Sequence, residues 1–183
     1  MIVIDTFLKE LKAHWLKEEI PNISEENAAY LVWILEHLQA KNILEIGTAN
    51  GYSTIHFAHC VEKWKWSVTT IEFSPVSFAA AKQNFEAVEL KNIEQLLWNA
   101  LDIIPTLENK KFDFIFIDGM KKRSRDFLEL CLSKIQKWWM IVIDDVIKFR
   151  YKMESLYEFV ETHKLPYEIV QIDTDDGIMI LRF

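Results

Sequence analysis

The sequence predicts a doubly wound α/β fold, a mostly parallel sheet with helices on both faces and an antiparallel hairpin at the C-terminal end. Three observations carry this expectation. Helical and strand-like segments alternate along the chain. Several strand-like segments, such as Phe114–Ile117 and Ile141–Ile143, are apolar at every position, as strands covered by helices on each side must be. No Pro/Gly/Ser-rich linker, internal repeat or low-complexity tract interrupts the alternation, so the 183 residues read as one domain, with 1–40 as N-terminal helices packed on its core.

The elements follow in order. Asp5–Lys17 and Ser24–Gln39 carry apolar residues at helical spacing, the second opening with a Ser cap and two Glu in its first turn. Asn42–Ile46 is a short β-branched run that ends at Gly47. Helix Tyr52–Val61, strand Ser67–Glu72, helix Pro75–Val88, strand Ile93–Leu97 and a short helix near Leu101–Leu107 come next; Ser74 caps the second of these helices, and Pro75 suits its first turn because a proline there sacrifices no hydrogen bond. The second half predicts strand Phe112–Asp118, helix Ser124–Lys137, strand Met140–Asp144 and helix Tyr151–His163. A final hairpin pairs Tyr167–Ile172 with Ile178–Phe183 across Asp173–Gly177.

Composition narrows the function classes. Half the residues are hydrophobic and 27% charged, enough for a buried core without disulfides. The longest apolar run, Ala28–Leu35, is far short of a membrane span, and the N-terminus lacks the basic-then-apolar layout of a secretory signal, so a cytoplasmic protein without membrane partners is expected. Cys60 and Cys131 form no CxxC pair, so neither a disulfide framework nor a zinc-thiolate site is indicated. A net charge of −7 disfavours indiscriminate binding to phosphate backbones, although Lys121, Lys122, Arg123 and Arg125 form a local basic run.

In an open α/β sheet ligands bind beyond the carboxyl ends of the strands, so the polar residues that terminate apolar runs matter most. Here they are Glu45 to Gly51 after the first strand, Glu72 after the second, Asp118 after the fourth and Asp144-Asp145 after the fifth. So many acidic termini on one edge call for an offsetting group: ligand hydroxyls and amines, a metal ion, or Lys121. Glu72 lies 21 residues past Gly51, about where a second-strand carboxylate accepts ribose hydroxyls of an adenosine-containing ligand. The dinucleotide fingerprint G-x-G-x-x-G is not met, because Ala49 stands where the second glycine belongs. His56, His59 and Cys60 share one helical turn, but as an ordinary helix face they lie outside every strand-end cluster. Phe149 and Tyr151, set between Lys148, Arg150 and Lys152, read either as a substrate or nucleic-acid loop or as a plain helix start.

Taken together, Leu44–Ser53, Thr70–Glu72, Ala100–Leu107 with its Ile-Ile-Pro, Phe112–Lys121 and Ile141–Val146 resemble the metal-dependent S-adenosylmethionine O-methyltransferases typified by catechol and caffeoyl-CoA O-methyltransferases. The likeness runs from about Ser24 to Phe183 with its motifs in the family's order. It implies a Rossmann-like class I methyltransferase fold with a seven-stranded sheet. It also implies that Glu45, Gly47 and Ser53 line the methionine end of S-adenosyl-L-methionine, that Glu72 holds the ribose, that Phe73, Asn99 and Ala100 surround the adenine, and that Asp118 borders the cofactor. Asp118, Asp144 and Asp145 match the ligands of a divalent metal, Mg²⁺, and Lys121 matches the general base, with Lys122 the alternative if the register slips by one. Such an enzyme methylates a hydroxyl on a small molecule; a hydroxylated uridine of tRNA is the other acceptor the resemblance offers. A non-catalytic cofactor-binding domain and an NAD dehydrogenase are the rival classes, and homodimer formation through the N-terminal helix is left open.

Two departures stand out. Asp145 occupies a position where the family usually has Asn, and Trp98, Trp138 and Trp139 fall where it has Gly. Average usage predicts roughly 13 glycines in a chain of this length, yet there are 4, beside 7 tryptophans. The hypothesis that these tryptophans are natively glycine, from a codon that two genetic codes read differently, would end with ordinary UGG codons in the coding DNA.

Overall fold

The computed structural model describes residues 3–18, 22–107, 110–174 and 176–183. Strands β1 (Asn42–Ile46), β2 (Ser67–Glu72), β3 (Ile93–Leu97), β4 (Phe112–Ile117), β5 (Ile135–Ile143), β6 (Tyr167–Gln171) and β7 (Gly177–Arg182) form one sheet in the order β3-β2-β1-β4-β5-β7-β6. Pairing is parallel from β3 through β5 and antiparallel where β7 lies between β5 and β6. The strand order therefore reverses between β1 and β4, the point at which an open sheet leaves a crevice at its carboxyl edge. Helices α1 (Ile4–Glu18), α2 (Glu25–Leu38), α3 (Tyr52–Glu62), α4 (Pro75–Ala87), α5 (Ala100–Thr106), α6 (Ser124–Cys131) and α7 (Glu154–Thr162) cover it. Among the described residues no helix is long and apolar enough to cross a membrane.

Side chains alternate along each strand, so a two-sided apolar strand feeds two cores. Phe114 and Phe116 join Ile43, Val68 and Val142 beneath α1 to α4, while Ile115 and Ile117 join Leu44, Ile71, Ile141 and Ile143 beneath α5 to α7. The aromatic face of β4 meets Phe57 of α3 edge-on, at ring-centroid separations of 6.1 Å to Phe114 and 5.5 Å to Phe116. Leu8 and Leu11 of α1 with Leu31 and Leu35 of α2 belong to the first core. Ser24 caps α2 by accepting the Asn27 N–H, and Ser74 caps α4 by accepting the Ser77 N–H, as their sequence positions suggest.

Two segments depart from the sequence reading. The helix expected over Ser124–Lys137 stops at Cys131, capped by Leu132 in the right-handed region at φ −55°, and β5 already begins at Ile135. Ile135 pairs with Phe112, and a bulge then shifts the register so that Met140 pairs with Phe114. The stretch Ile135–Met140 is too short for periodicity to separate a helix end from a strand. Trp138 and Trp139 consequently lie in extended backbone, and the left-handed cap that would demand glycine there is not formed; the Trp138 side chain lies outside the described residues. The helix expected from Tyr151 instead starts at Glu154, after a 3₁₀ turn over Arg150–Lys152. The final hairpin forms, with residue 175 of its turn outside the described residues.

Candidate active site

Register alone assembles the site. Ile46 is level with Ile71 on β2 and Ile117 on β4, and Ile117 is level with Ile143 on β5. The next residues, Glu72, Gly47, Asp118 and Asp144, therefore occupy one level across four neighbouring parallel strands, and the ladder continues through them: Gly47 N–H donates to Ile71 O, Asp118 N–H to Ile46 O and Asp144 N–H to Ile117 O, at 2.9–3.0 Å. On β3, Leu97 is level with Glu72, which puts Trp98, Asn99 and Ala100 at the far end of the row. Above this row lies a cavity of about 1100 Å³ whose walls include Gly47, Glu72, Phe73, Asn99, Ala100, Asp118, Lys121, Asp144 and Asp145.

Gly47 sits at the centre of the row because nothing larger fits. Its φ of +103° is left-handed, and a Cβ built there would come within 2.6 Å of the Asp118 carbonyl oxygen. The turn beyond it is fixed by Glu72, whose Oε2 accepts the Thr48 and Ala49 N–H groups at 3.1 and 2.9 Å while Oε1 accepts the Ser74 N–H at 2.8 Å. These three bonds hold the carboxylate at the cavity wall and join the β1 and β2 termini. Ala49, where the dinucleotide fingerprint would need its second glycine, has φ +49°.

The acidic end is more strongly coupled. Asp118, Asp144 and Asp145 each offer a carboxylate oxygen, and these atoms lie within 4.8 Å of one another, an arrangement of hard donors suited to a Mg²⁺- or Ca²⁺-type cation. Asp145 takes φ +62°, a conformation that Asp and Asn tolerate better than other side-chain-bearing residues. Asp here, where the resemblance implies Asn, is thus conservative for the backbone and adds a negative charge in place of an amide. Lys121 Nζ lies 2.5 Å from Asp118 Oδ1 and 2.6 Å from Asp145 Oδ2. Burial pulls the Lys121 ammonium down, but Asp118, Asp145 and Asp144 together outweigh it and hold the group charged, above the ordinary lysine range. Burial, reinforced by mutual repulsion, pushes the Asp118 and Asp144 carboxyls up, Asp144 most of all. The sequence places Lys121 in a local basic run; in the structure it is largely enclosed among carboxylates rather than solvated, while Lys122 is exposed and does not line the cavity.

Two residues expected at the cofactor lie a layer lower. Glu45 and Ser53 are buried and do not form the cavity wall. Ser53 Oγ donates to Glu45 Oε1 at 2.5 Å, and Thr54 and Thr70 hydroxyls donate to Oε2. The reason is register: Glu45 is level with Thr70 and Phe116, two positions short of the row that faces the cavity. Burial pushes the Glu45 carboxyl up to about 7 against the three hydroxyl donors. A carboxyl raised on folding binds its proton more tightly in the folded chain, so stability falls as pH rises from about 4.5 to about 7, and the whole penalty is present above that window. Glu45→Gln removes the titration. Urea unfolding from pH 5 to pH 8 is expected to show the wild type losing on the order of 2–3 kcal/mol relative to the variant; equal slopes would contradict the buried, ionising Glu45.

The sequence also missed wall residues. Asn27 of α2 is buried and donates through Nδ2 to Asp144 Oδ1 at 2.8 Å, so the N-terminal helices contribute to the site as well as to the core. An Asn on the apolar stripe of α2, beside Ala28 and Leu31, was the available signal. Asp176, read only as part of a turn, lies against the acidic cluster. Its Oδ1 accepts the N–H groups of Ile147, Lys148 and Gly177 at 2.9, 3.1 and 2.7 Å. Lys148, Phe149 and Lys152 line the same end of the cavity, whereas Tyr151 does not. His56 and Cys60 face α1 and α2 instead, with burial pushing the His56 imidazole down to about 4.

A family profile described as O-methyltransferase matches residues 4–182. Two curated relatives, each a catechol O-methyltransferase, are 31% identical over 133 residues (Mycobacterium tuberculosis) and 34% identical over 131 residues (Niastella koreensis), alignments covering 71% and 69% of this chain. The chain spans about three-fifths of their length, 60% and 59% respectively. An O-methyltransferase from Bacillus cereus, solved in complex with S-adenosylhomocysteine, superposes with a TM-score of 0.86 at 26% identity, covering 100% of this chain and 93% of that one.

Proposed function

We propose that this chain, which belongs to the O-methyltransferase family, transfers a methyl group from S-adenosylmethionine to a hydroxyl of a small molecule, with a divalent cation, Mg²⁺, at the acidic cluster, in the cytoplasm. The observation that carries the reading is the single row Glu72–Gly47–Asp118–Asp144 at the strand-order reversal, which provides a nucleoside-type wall and a cation-type wall in one cavity. Glu72 offers its remaining acceptor capacity to the ribose hydroxyls, Phe73, Asn99 and Ala100 border the base, and the Gly47 turn gives the methionine end close access to backbone. Glu45 and Ser53 support that turn from below.

Methyl transfer from a sulfonium is an in-line displacement: the S–CH₃ bond breaks as the C–O bond forms, leaving the thioether. The protein must align donor and acceptor and remove the hydroxyl proton. Asp118, Asp144 and Asp145 would hold the cation, which supplies a lowered hydroxyl pKa and orientation of the acceptor. Lys121 Nζ, between Asp118 and Asp145, is the nearby group to receive the proton, and carboxylates engaged by another cation hold its charge less firmly. Asn27 keeps Asp144 oriented. A small acceptor suits the site better than tRNA does, since the basic run beyond Lys121 is internally offset: Arg123 pairs with Asp126 and Arg125 with Glu129.

Calorimetric titration with S-adenosylhomocysteine, followed by transfer of labelled methyl to a panel of catechol-type hydroxyls with Mg²⁺ or EDTA, tests this. Binding in either condition with turnover only in Mg²⁺ is expected. No binding would overturn the cofactor reading, and salt-sensitive tRNA methylation lost on replacing Arg123 and Arg125 would move the acceptor to RNA.

A further inference from the structure

We infer that Trp98 is an adenine-stacking residue of this chain, a cofactor-positioning contact beyond the residues so far given to the base. The inference rests on the reading that the cavity takes an adenosyl cofactor. With Glu72 read as the ribose contact and Phe73, Asn99 and Ala100 as the border of the base, the base lies on the β3 side of Glu72. That is where Trp98 stands: it follows Leu97, the residue level with Glu72, and its N–H donates to Glu72 O at 3.0 Å, so the ring is carried on a backbone fixed to the ribose-binding strand. Trp98 and Phe73 are the residues that directly follow the level pair Leu97 and Glu72, and both line the cavity. They are 61% and 68% exposed, large apolar side chains left to solvent on the wall of that cavity. Exposed aromatics on the wall of one cavity mark a ligand surface, and a purine presents a flat π-face on which an aromatic ring can stack. A glycine at 98 would offer the base no ring at all. The tryptophan thus strengthens the grip on the base; the opposite consequence of a bulky ring where the resemblance has glycine is an obstructed pocket.

The two consequences have opposite signs in one measurement. Calorimetric titration of S-adenosylhomocysteine into wild type, Trp98→Phe and Trp98→Gly is expected to give a Kd raised about two- to threefold for the Phe variant and about tenfold or more for the Gly variant, in line with the worth of base–aromatic stacking. Quenching of tryptophan fluorescence by the ligand should be present in wild type and largely lost in Trp98→Phe. Since the ring is mostly exposed, thermal melting of the free variants should stay close to wild type, which separates binding from folding. Wild type that binds while Trp98→Gly binds equally well or more tightly would overturn the inference; wild type that fails to bind would overturn the cofactor reading instead.

Discussion

Lys121→Met is expected to lower methyl transfer by 10²- to 10⁴-fold while leaving the Kd for S-adenosylhomocysteine within about threefold, because in the proposed mechanism the amine takes the acceptor's proton and carries little of the donor's binding. The same substitution acts on stability. Lys121 bridges Asp118 and Asp145, and its side chain is only 16% exposed. Taking away the ammonium leaves carboxylates clustered and partly desolvated, a cost on the order of 3 kcal/mol at neutral pH. Divalent cation should restore part of that stability, since a ligand that binds only the folded chain stabilises it by mass action. Activity and Tm, each measured with Mg²⁺ and with EDTA, distinguish the two roles. A variant within a few-fold of wild-type turnover would remove Lys121 from the chemistry, and a Tm insensitive to Mg²⁺ would count against a cation at the cluster.

Gly47→Ala should be damaging for a different reason. The added methyl meets the Asp118 carbonyl at 2.6 Å and the Gly119 nitrogen at 3.0 Å, both backbone atoms, at a φ of +103°. Neither a rotamer change nor a flexible neighbour can absorb this, so the ends of β1 and β4 must separate. A loss on the order of 2–4 kcal/mol is expected in urea unfolding, with S-adenosylhomocysteine binding weakened at least tenfold, since the turn and Asp118 are displaced together. Near-normal binding by this variant would show that the donor does not approach the Gly47 turn.

These two sites illustrate what could be read from residues alone. Two-sided apolar strands and the acidic residue ending each run made the sheet and its carboxyl edge legible, because strand burial and chain termination are local properties of sequence. Depth was not legible. Glu45 and Glu72 both look like strand-end carboxylates, yet cross-strand register puts one beneath the Gly47 turn and the other at the cavity wall. Spacing likewise gave the nearness of Lys121 to Asp118 but not the approach of Asp145 from the end of the next strand. Asn27 and Asp176 reach the site from opposite ends of the chain, a meeting that no local window contains. The short span Ile135–Met140 was ambiguous because its strand character depends on pairing with Phe112 across a bulge.

Asp176 has an architectural consequence. Through Ile147 and Lys148 it clasps the loop after β5 to the β6–β7 hairpin, whereas the Gly47 turn is fixed independently by Glu72. The Gly47 end and the Lys148 end of the cavity therefore hang from separate anchors. Lengthening or trimming the hairpin tip would re-aim Lys148 and Phe149 with the Gly47 turn undisturbed, a modular layout in which, on the proposed reading, acceptor scope can diversify through insertions and deletions at one surface turn while the methyl-donor grip is inherited unchanged.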